Sequence, residues 1–273
     1  MNSQLFNGKR FAAVYCRDLR MQASSWAWRI LVMIGLLTLC LLGGDWFVHN
    51  VENMKHMGHP ASIYHDELMM LSTVCLMFVS IFTSLGASHF MQGYATPGER
   101  INQLMSPAST LEKFISRFLI CIVGITLALI AGWYIAECIR VAVGNAVYST
   151  PTLGVTSFFT AITNISVADS ALPLSFIILS IVCWQALYVM GSAFFLKNAF
   201  LKTWGAACII EFIVGFACGN LAVFLIRHHI GGGIGISLEA LKCAAVAFFA
   251  VTTVFAYTVT YFRMKEQEII QRM

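Results

Sequence analysis

Leu68–Met91 reads LMMLSTVCLMFVSIFTSLGASHFM; a polar loop, QGYATPGERINQLMSPASTLEK, occupies 92–113; Phe114–Cys138 then reads FISRFLICIVGITLALIAGWYIAEC. Each apolar run exceeds the roughly 20 residues that a helix needs to cross a hydrocarbon core of about 30 Å. Working outward, the same alternation recurs. Further apolar runs lie at about 30–48, 173–196, 204–226 and 240–262. The pattern predicts an all-α, polytopic membrane protein with six transmembrane helices.

Composition agrees. Mean hydropathy is +0.77, 59% of residues are hydrophobic and only 11% are charged. A soluble domain of this length needs far more surface charge. No polar segment is long enough for a second domain, so residues 1–273 are expected to form a single transmembrane domain. No basic stripe stands clear of the membrane, which argues against nucleic acid as a partner. The nine cysteines include no C-x-x-C pair; seven fall inside predicted spans, and Cys138 sits at the outer end of the third. Buried thiols acting as small apolar fillers account for them. The polar lead before the first span is too long for an ordinary signal-peptide n-region, so that span is expected to persist.

Placement of charge predicts the threading. Lys9, Arg10, Arg17, Arg20 and Arg29 precede the first run; Arg100, Lys113 and Arg117 lie between the second and third. Lys197 and Lys202 join the fourth and fifth, and Arg263, Lys265 and Arg272 follow the sixth. The opposite side holds only Lys55, Arg140, Arg227 and Lys242. The positive-inside rule therefore puts both termini in the cytoplasm.

The segment 3–28 predicts an amphipathic interfacial helix ahead of the first span. Lys9, Arg10, Arg17 and Arg20 gather on one arc, with Phe11, Tyr15 and Leu19 opposed to them. Asp18 and Gln22 interrupt the apolar face. The alternative is a basic topogenic tail with some helix.

The loop 92–113 holds the most specific local signal. Thr96-Pro97-Gly98-Glu99 supplies a capping side chain, a proline at the first helical position and a glutamate two places later. Ile101, Leu104 and Met105 share one face of the short helix that follows, and Pro107 ends it. Ser109 and Glu112 form a second capping box that opens the third span. A helix this short is marginal in water, so it must rest on a membrane or a partner.

This arrangement resembles the permease subunit of type-2 ATP-binding-cassette exporters. Leu104-Met105-Ser106-Pro107-Ala108-Ser109-Thr110-Leu111-Glu112-Lys113-Phe114 is similar to a Pro-Ala-Ser…Glu-Lys-Phe signature in a bacterial permease-like subgroup. The resemblance implies a bacterial inner-membrane location and export of a substrate that no residue pattern names. It implies a homodimer, or a heterodimer with a related permease. It also implies docking of the short helix on an ATPase subunit through Glu99, Arg100, Ile101, Leu104 and Met105. The chain has no G-x-x-x-x-G-K-[ST] phosphate loop. It is thus not expected to be an enzyme or to hold a cofactor; ATP and Mg belong on the partner ATPase. The connection at about 227–239 is shorter than in many relatives of that family, which argues against a large polymer or glycolipid substrate. The alternatives are a non-transporting sensor or assembly subunit and, further off, a membrane-embedded enzyme.

Glu211 is the one carboxylate well inside a predicted span, where an acid costs on the order of 2.5–3.5 kcal/mol. Gln185 lies at a similar expected depth and could hydrogen-bond to it. The sequence leaves open whether Glu211 is functional or structural. Asp45 and Glu137 sit near outer ends and need no special role. The loop 49–67 is rich in His and Met, a composition that suits copper, but its spacing matches no recognised site and no metal ligand is assigned.

Overall fold

The computed structural model describes residues 6–55, 60–147, 154–168, 174–227 and 238–270, with some side chains, including those of 51–55, 60–66 and 217–227, outside the description. Every regular element among these residues is helical. The order is α1 (Gly8–Lys55), α2 (Pro60–Ser88), α3 (Pro97–Leu104), α4 (Thr110–Phe118), α5 (Ile125–Val147), α6 (Phe158–Ala168), α7 (Leu174–Phe194), α8 (Ala199–Arg227) and α9 (Leu238–Ile270). A π-helical turn, Leu119–Gly124, joins α4 to α5.

Five stretches among the described residues are long and apolar enough to cross a membrane: Gly8–Asn50, Glu67–Tyr94, Thr110–Val147, Ser175–Phe194 and Cys243–Gln267. They fit a multi-pass membrane protein. The remaining expected span, 204–226, lies within α8.

The N-terminal segment expected as an interfacial helix at 3–28 is helical from Gly8 and continuous with the first apolar run: α1 extends for 48 residues, about 72 Å at 1.5 Å per residue. The physical reason is local. No proline occurs between Gly8 and Lys55, and no glycine between Gly8 and Gly35, so nothing breaks the ladder between the basic segment and the apolar run.

The chain forms two compact units: Met1–Gly86 with Pro107–Ile177, and Ala87–Ser106 with Ile178–Met273. In the first, α1 packs along α4 and α5. Leu37, Leu41, Leu71, Leu129 and Trp133 form its buried centre. Gly86 lets α2 approach the π-helical turn: a Cβ there would collide with Ile125 Cδ1 and stand 2.9 Å from the Cys121 carbonyl oxygen. The sequence did not signal α6. It caps on Ser157, whose Oγ accepts from the Thr160 N–H at 3.0 Å. Phe158 then meets the Trp133 ring edge-on at 6.2 Å.

In the second unit, the last turns of α7 meet the first turns of α8. Tyr188 stacks on Phe200 at 5.5 Å, and a Cβ on Gly191 would strike the Thr203 side chain. Asn198, just before α8, sits at φ 55°, a left-handed conformation that Asn tolerates better than most residues. The eight described cysteines are free. Cys75, Cys121 and Cys183 are buried fillers as expected, whereas Cys16, Cys138, Cys208 and Cys243 are exposed.

Candidate functional site

Three constellations hold polar chemistry. The first is the loop helix α3. Thr96 has the extended backbone of an N-cap (φ −110°, ψ 149°), and its Oγ1 accepts from the Glu99 N–H at 3.4 Å. Arg100 folds back, donating from Nε and Nη2 to the Tyr94 carbonyl at 3.2 and 3.0 Å. That ties α3 to the turn before it. Gln103 and Ser106 are buried, while Ile101 is 57% and Met105 80% exposed. Ile101 and Met105 stand four apart and share a face. Of the residues expected to dock a partner, Glu99, Ile101 and Met105 are exposed and Arg100 is half-buried. The Leu104 side chain lies outside the described residues.

The second constellation surrounds Glu112. Its capping box with Ser109 is reciprocal: Ser109 Oγ accepts from the Glu112 N–H at 3.3 Å, and the Ser109 N–H donates to Glu112 Oε2 at 2.9 Å. The same carboxylate accepts Arg10 Nε and Nη2, both at 2.8 Å, and the Asn7 N–H at 2.7 Å. One fully buried carboxylate thus caps α4 and anchors the start of α1. Farther along the same contact, Ser116 Oγ donates to Asp18 Oδ2 at 3.2 Å, and Arg17 Nη2 to Asp18 Oδ1 at 2.9 Å. Asp18, which interrupts the apolar stripe of the sequence, is buried because that side faces α4 rather than lipid. The cap role of Glu112 is legible locally; its Arg10 partner is 102 residues away.

The third constellation overturns the expectation that Asp45 and Glu137 have no special role. Arg140, fully buried, gathers three carboxylates from three helices. Its Nη1 donates to Glu67 Oε1 at 2.6 Å and to Asp45 Oδ1 at 3.2 Å. Nε and Nη2 meet the two oxygens of Glu137 at 3.0 and 3.1 Å, a bidentate pair one helical turn apart on α5. Nη2 also reaches the Gly154 carbonyl at 3.4 Å, and the Thr156 N–H donates to Glu137 Oε2 at 3.0 Å. His49 Nδ1 lies 3.0 Å from the Asp45 carbonyl oxygen. Charges buried this deeply are tolerated only when paired and hydrogen-bonded. The cluster therefore pins α1, α2, α5 and the segment before α6 to one another. The available sequence signal was a set of isolated charges, Asp45, Glu67, Glu137 and Arg140, all near the same ends of neighbouring spans.

Gln185 and Glu211 are not brought together. Gln185 is buried on α7, Glu211 is exposed on α8, and no hydrogen bond joins them. Tyr188 lies within electrostatic range of Glu211. In the His/Met-rich loop, the side chains of Met54, His56, Met57, His59 and His65 fall outside the described residues. No protein-family model, curated protein or solved structure matches this chain.

Proposed function

We propose that this chain is the transmembrane subunit of an ATP-binding-cassette exporter. In this reading it crosses the bacterial inner membrane six times, with both ends in the cytosol. It works as a homodimer or beside a related permease, and a separate ATPase subunit binds ATP and Mg. The observation that carries the reading is α3. It is an eight-residue helix, closed by a side-chain cap at one end and by Arg100 beneath it, presenting Ile101 and Met105 to solvent, and in sequence it joins two membrane-length stretches. A helix this short does not persist in water without support. The buried Gln103–Ser106 side gives that support, and the exposed apolar pair beside Glu99 suits a protein groove.

Purification of the full chain from native membranes tests the reading. It is expected to retain a nucleotide-binding subunit. Ile101→Asp with Met105→Asp should reduce that retention about tenfold or more, the effect of removing two anchor residues, while leaving the melting temperature of the chain unchanged. Retention of no ATPase by the native chain would refute the proposal. Capture of a cytosolic protein without a nucleotide site would favour the sensor or assembly reading, which uses the same helix differently.

A further inference from the structure

The Arg140 cluster holds more acid than its one cation balances. Asp45, Glu67, Glu137 and Arg140 are each 2% exposed or less, so three carboxyl groups and one guanidinium share a site shut off from water. All four lie in one compact unit. Glu137 takes Arg140 Nε and Nη2 on its two oxygens and accepts the Thr156 N–H as well, so its charge is met by the guanidinium and a backbone donor. Asp45 and Glu67 are left to share the third nitrogen. Nη1 donates to Glu67 Oε1 at 2.6 Å, and to Asp45 Oδ1 and Oδ2 at the longer distances of 3.2 and 3.4 Å. The two carboxyl groups face each other across that nitrogen, within hydrogen-bonding reach. Two bare carboxylates there would repel, with no donor between them. One proton supplies the donor and removes the repulsion. Buried charge without a counter-charge is relieved in this way.

We propose that Asp45 is a proton-binding clamp: at neutral pH its carboxyl group is protonated and donates to the ionised Glu67, and loss of that proton to solvent in alkaline medium loosens α1 and α2 from α5. The inference does not rest on the exporter reading, because every group involved belongs to this chain. The distances assign the roles, since the short contact to Nη1 marks Glu67 as the ionised acceptor. Among the described residues, the other titratable groups facing the pair are His49 of α1 and Cys75 of α2, the latter within electrostatic range of Glu137. His49 Nδ1 is turned to the Asp45 main-chain carbonyl, not to the Asp45 carboxyl group. Gly154 and Thr156, from the segment before α6, bring no ionisable side chain. An unfolded chain gives up an aspartate proton near about pH 3.9. The folded chain therefore binds a proton at neutral pH that the unfolded chain does not. Its contribution to stability is complete below the ordinary aspartate range and is lost as pH rises through the folded value, opposite in sign to that of a salt-bridged carboxylate.

Infrared spectroscopy of the full chain in lipid nanodiscs tests this. At neutral pH the native chain should show a protonated-carboxyl stretch with a component that is lost in Asp45→Asn, and lost also in Glu67→Gln, which leaves Asp45 as the anion beside Arg140. The thermal midpoint of the native chain should fall as pH rises from neutral to alkaline. Asp45→Asn, whose amide donates where the acid did, should lose that slope and match or exceed the native midpoint at alkaline pH. A merely structural aspartate would instead make Asp45→Asn less stable at every pH. His49→Gln should keep both the band and the slope. A band undiminished in Asp45→Asn would overturn the proposal, as would a slope that His49→Gln abolishes and Asp45→Asn keeps. The native chain gives a second reading that depends on no variant folding. With isotope-labelled aspartate carboxyls, magnetic resonance should find one aspartate protonated at neutral pH and titrating above the others; every aspartate ionised at neutral pH would equally overturn the assignment.

Discussion

Arg140 is the residue on which the first unit turns. Its guanidinium is planar and carries donors on three nitrogens, so it can take Glu137 on one edge while Nη1 reaches Glu67 and Asp45. Removing it leaves three carboxylates buried without their cation. Arg140→Leu should therefore destabilise the chain by about 3–5 kcal/mol, read as loss of denaturant resistance in detergent. Arg140→Lys should recover little, because a single ammonium cannot reproduce the bidentate geometry. Native-like stability in Arg140→Leu would mean that the cluster does not hold the helices. None of this was readable at Asp45 or Glu137 taken singly. A charge near the end of an apolar run looks like one reaching for water, and only the convergence of α1, α2 and α5 shows that it is enclosed.

At the scale of elements, the local and non-local parts of the loop separate cleanly. The helix α3, its Thr96 cap, the break before Ser109 and the start of α4 follow from residues three or four apart, and all were legible. The fate of the basic segment was not. Its periodicity is equally consistent with a helix lying among lipid headgroups and with one docked on protein. The structure continues it into the first span, and Glu112 holds Asn7 and Arg10 against the start of α4. Charge-assisted hydrogen bonds are shorter and stronger than neutral ones, and this carboxylate accepts from both Arg10 and the Asn7 N–H. Glu112→Ala should thus release the first turns of α1, raising amide exchange over residues 8–14 by about tenfold or more while α5 stays protected. Unchanged exchange there would show that packing along α4, not the carboxylate, holds the segment. The π-helical turn at Leu119–Gly124 had no local signature; it lies where Gly86 brings α2 against the Cys121 carbonyl.

For the whole molecule, threading through the membrane decides what α3 can meet. The seventeen Lys and Arg residues divide thirteen to four between the two sets of connections. Among the described residues of the thirteen, the structure buries Lys113 and Arg117, but burial after folding does not alter the bias that acts during insertion. A cysteine placed at Glu99, an exposed position, should react with an impermeant maleimide only from the cytosolic face. Reaction from the opposite face would remove α3 from any ATPase and end the transport proposal.

What the sequence determined without help is the set of long apolar helices, the bias in their flanking charge, and the capped helix in the loop. Hydrophobic length, lysine and arginine counts, and caps are all properties of short windows, so they survive in one dimension. Tertiary structure decided the partners: Arg140 for three acids, Glu112 for Arg10, solvent for Ile101 and Met105, and exposure rather than Gln185 for Glu211. Those outcomes depend on which helix surfaces meet. That is set by close packing between residues as much as 105 positions apart, a separation over which no periodicity carries information.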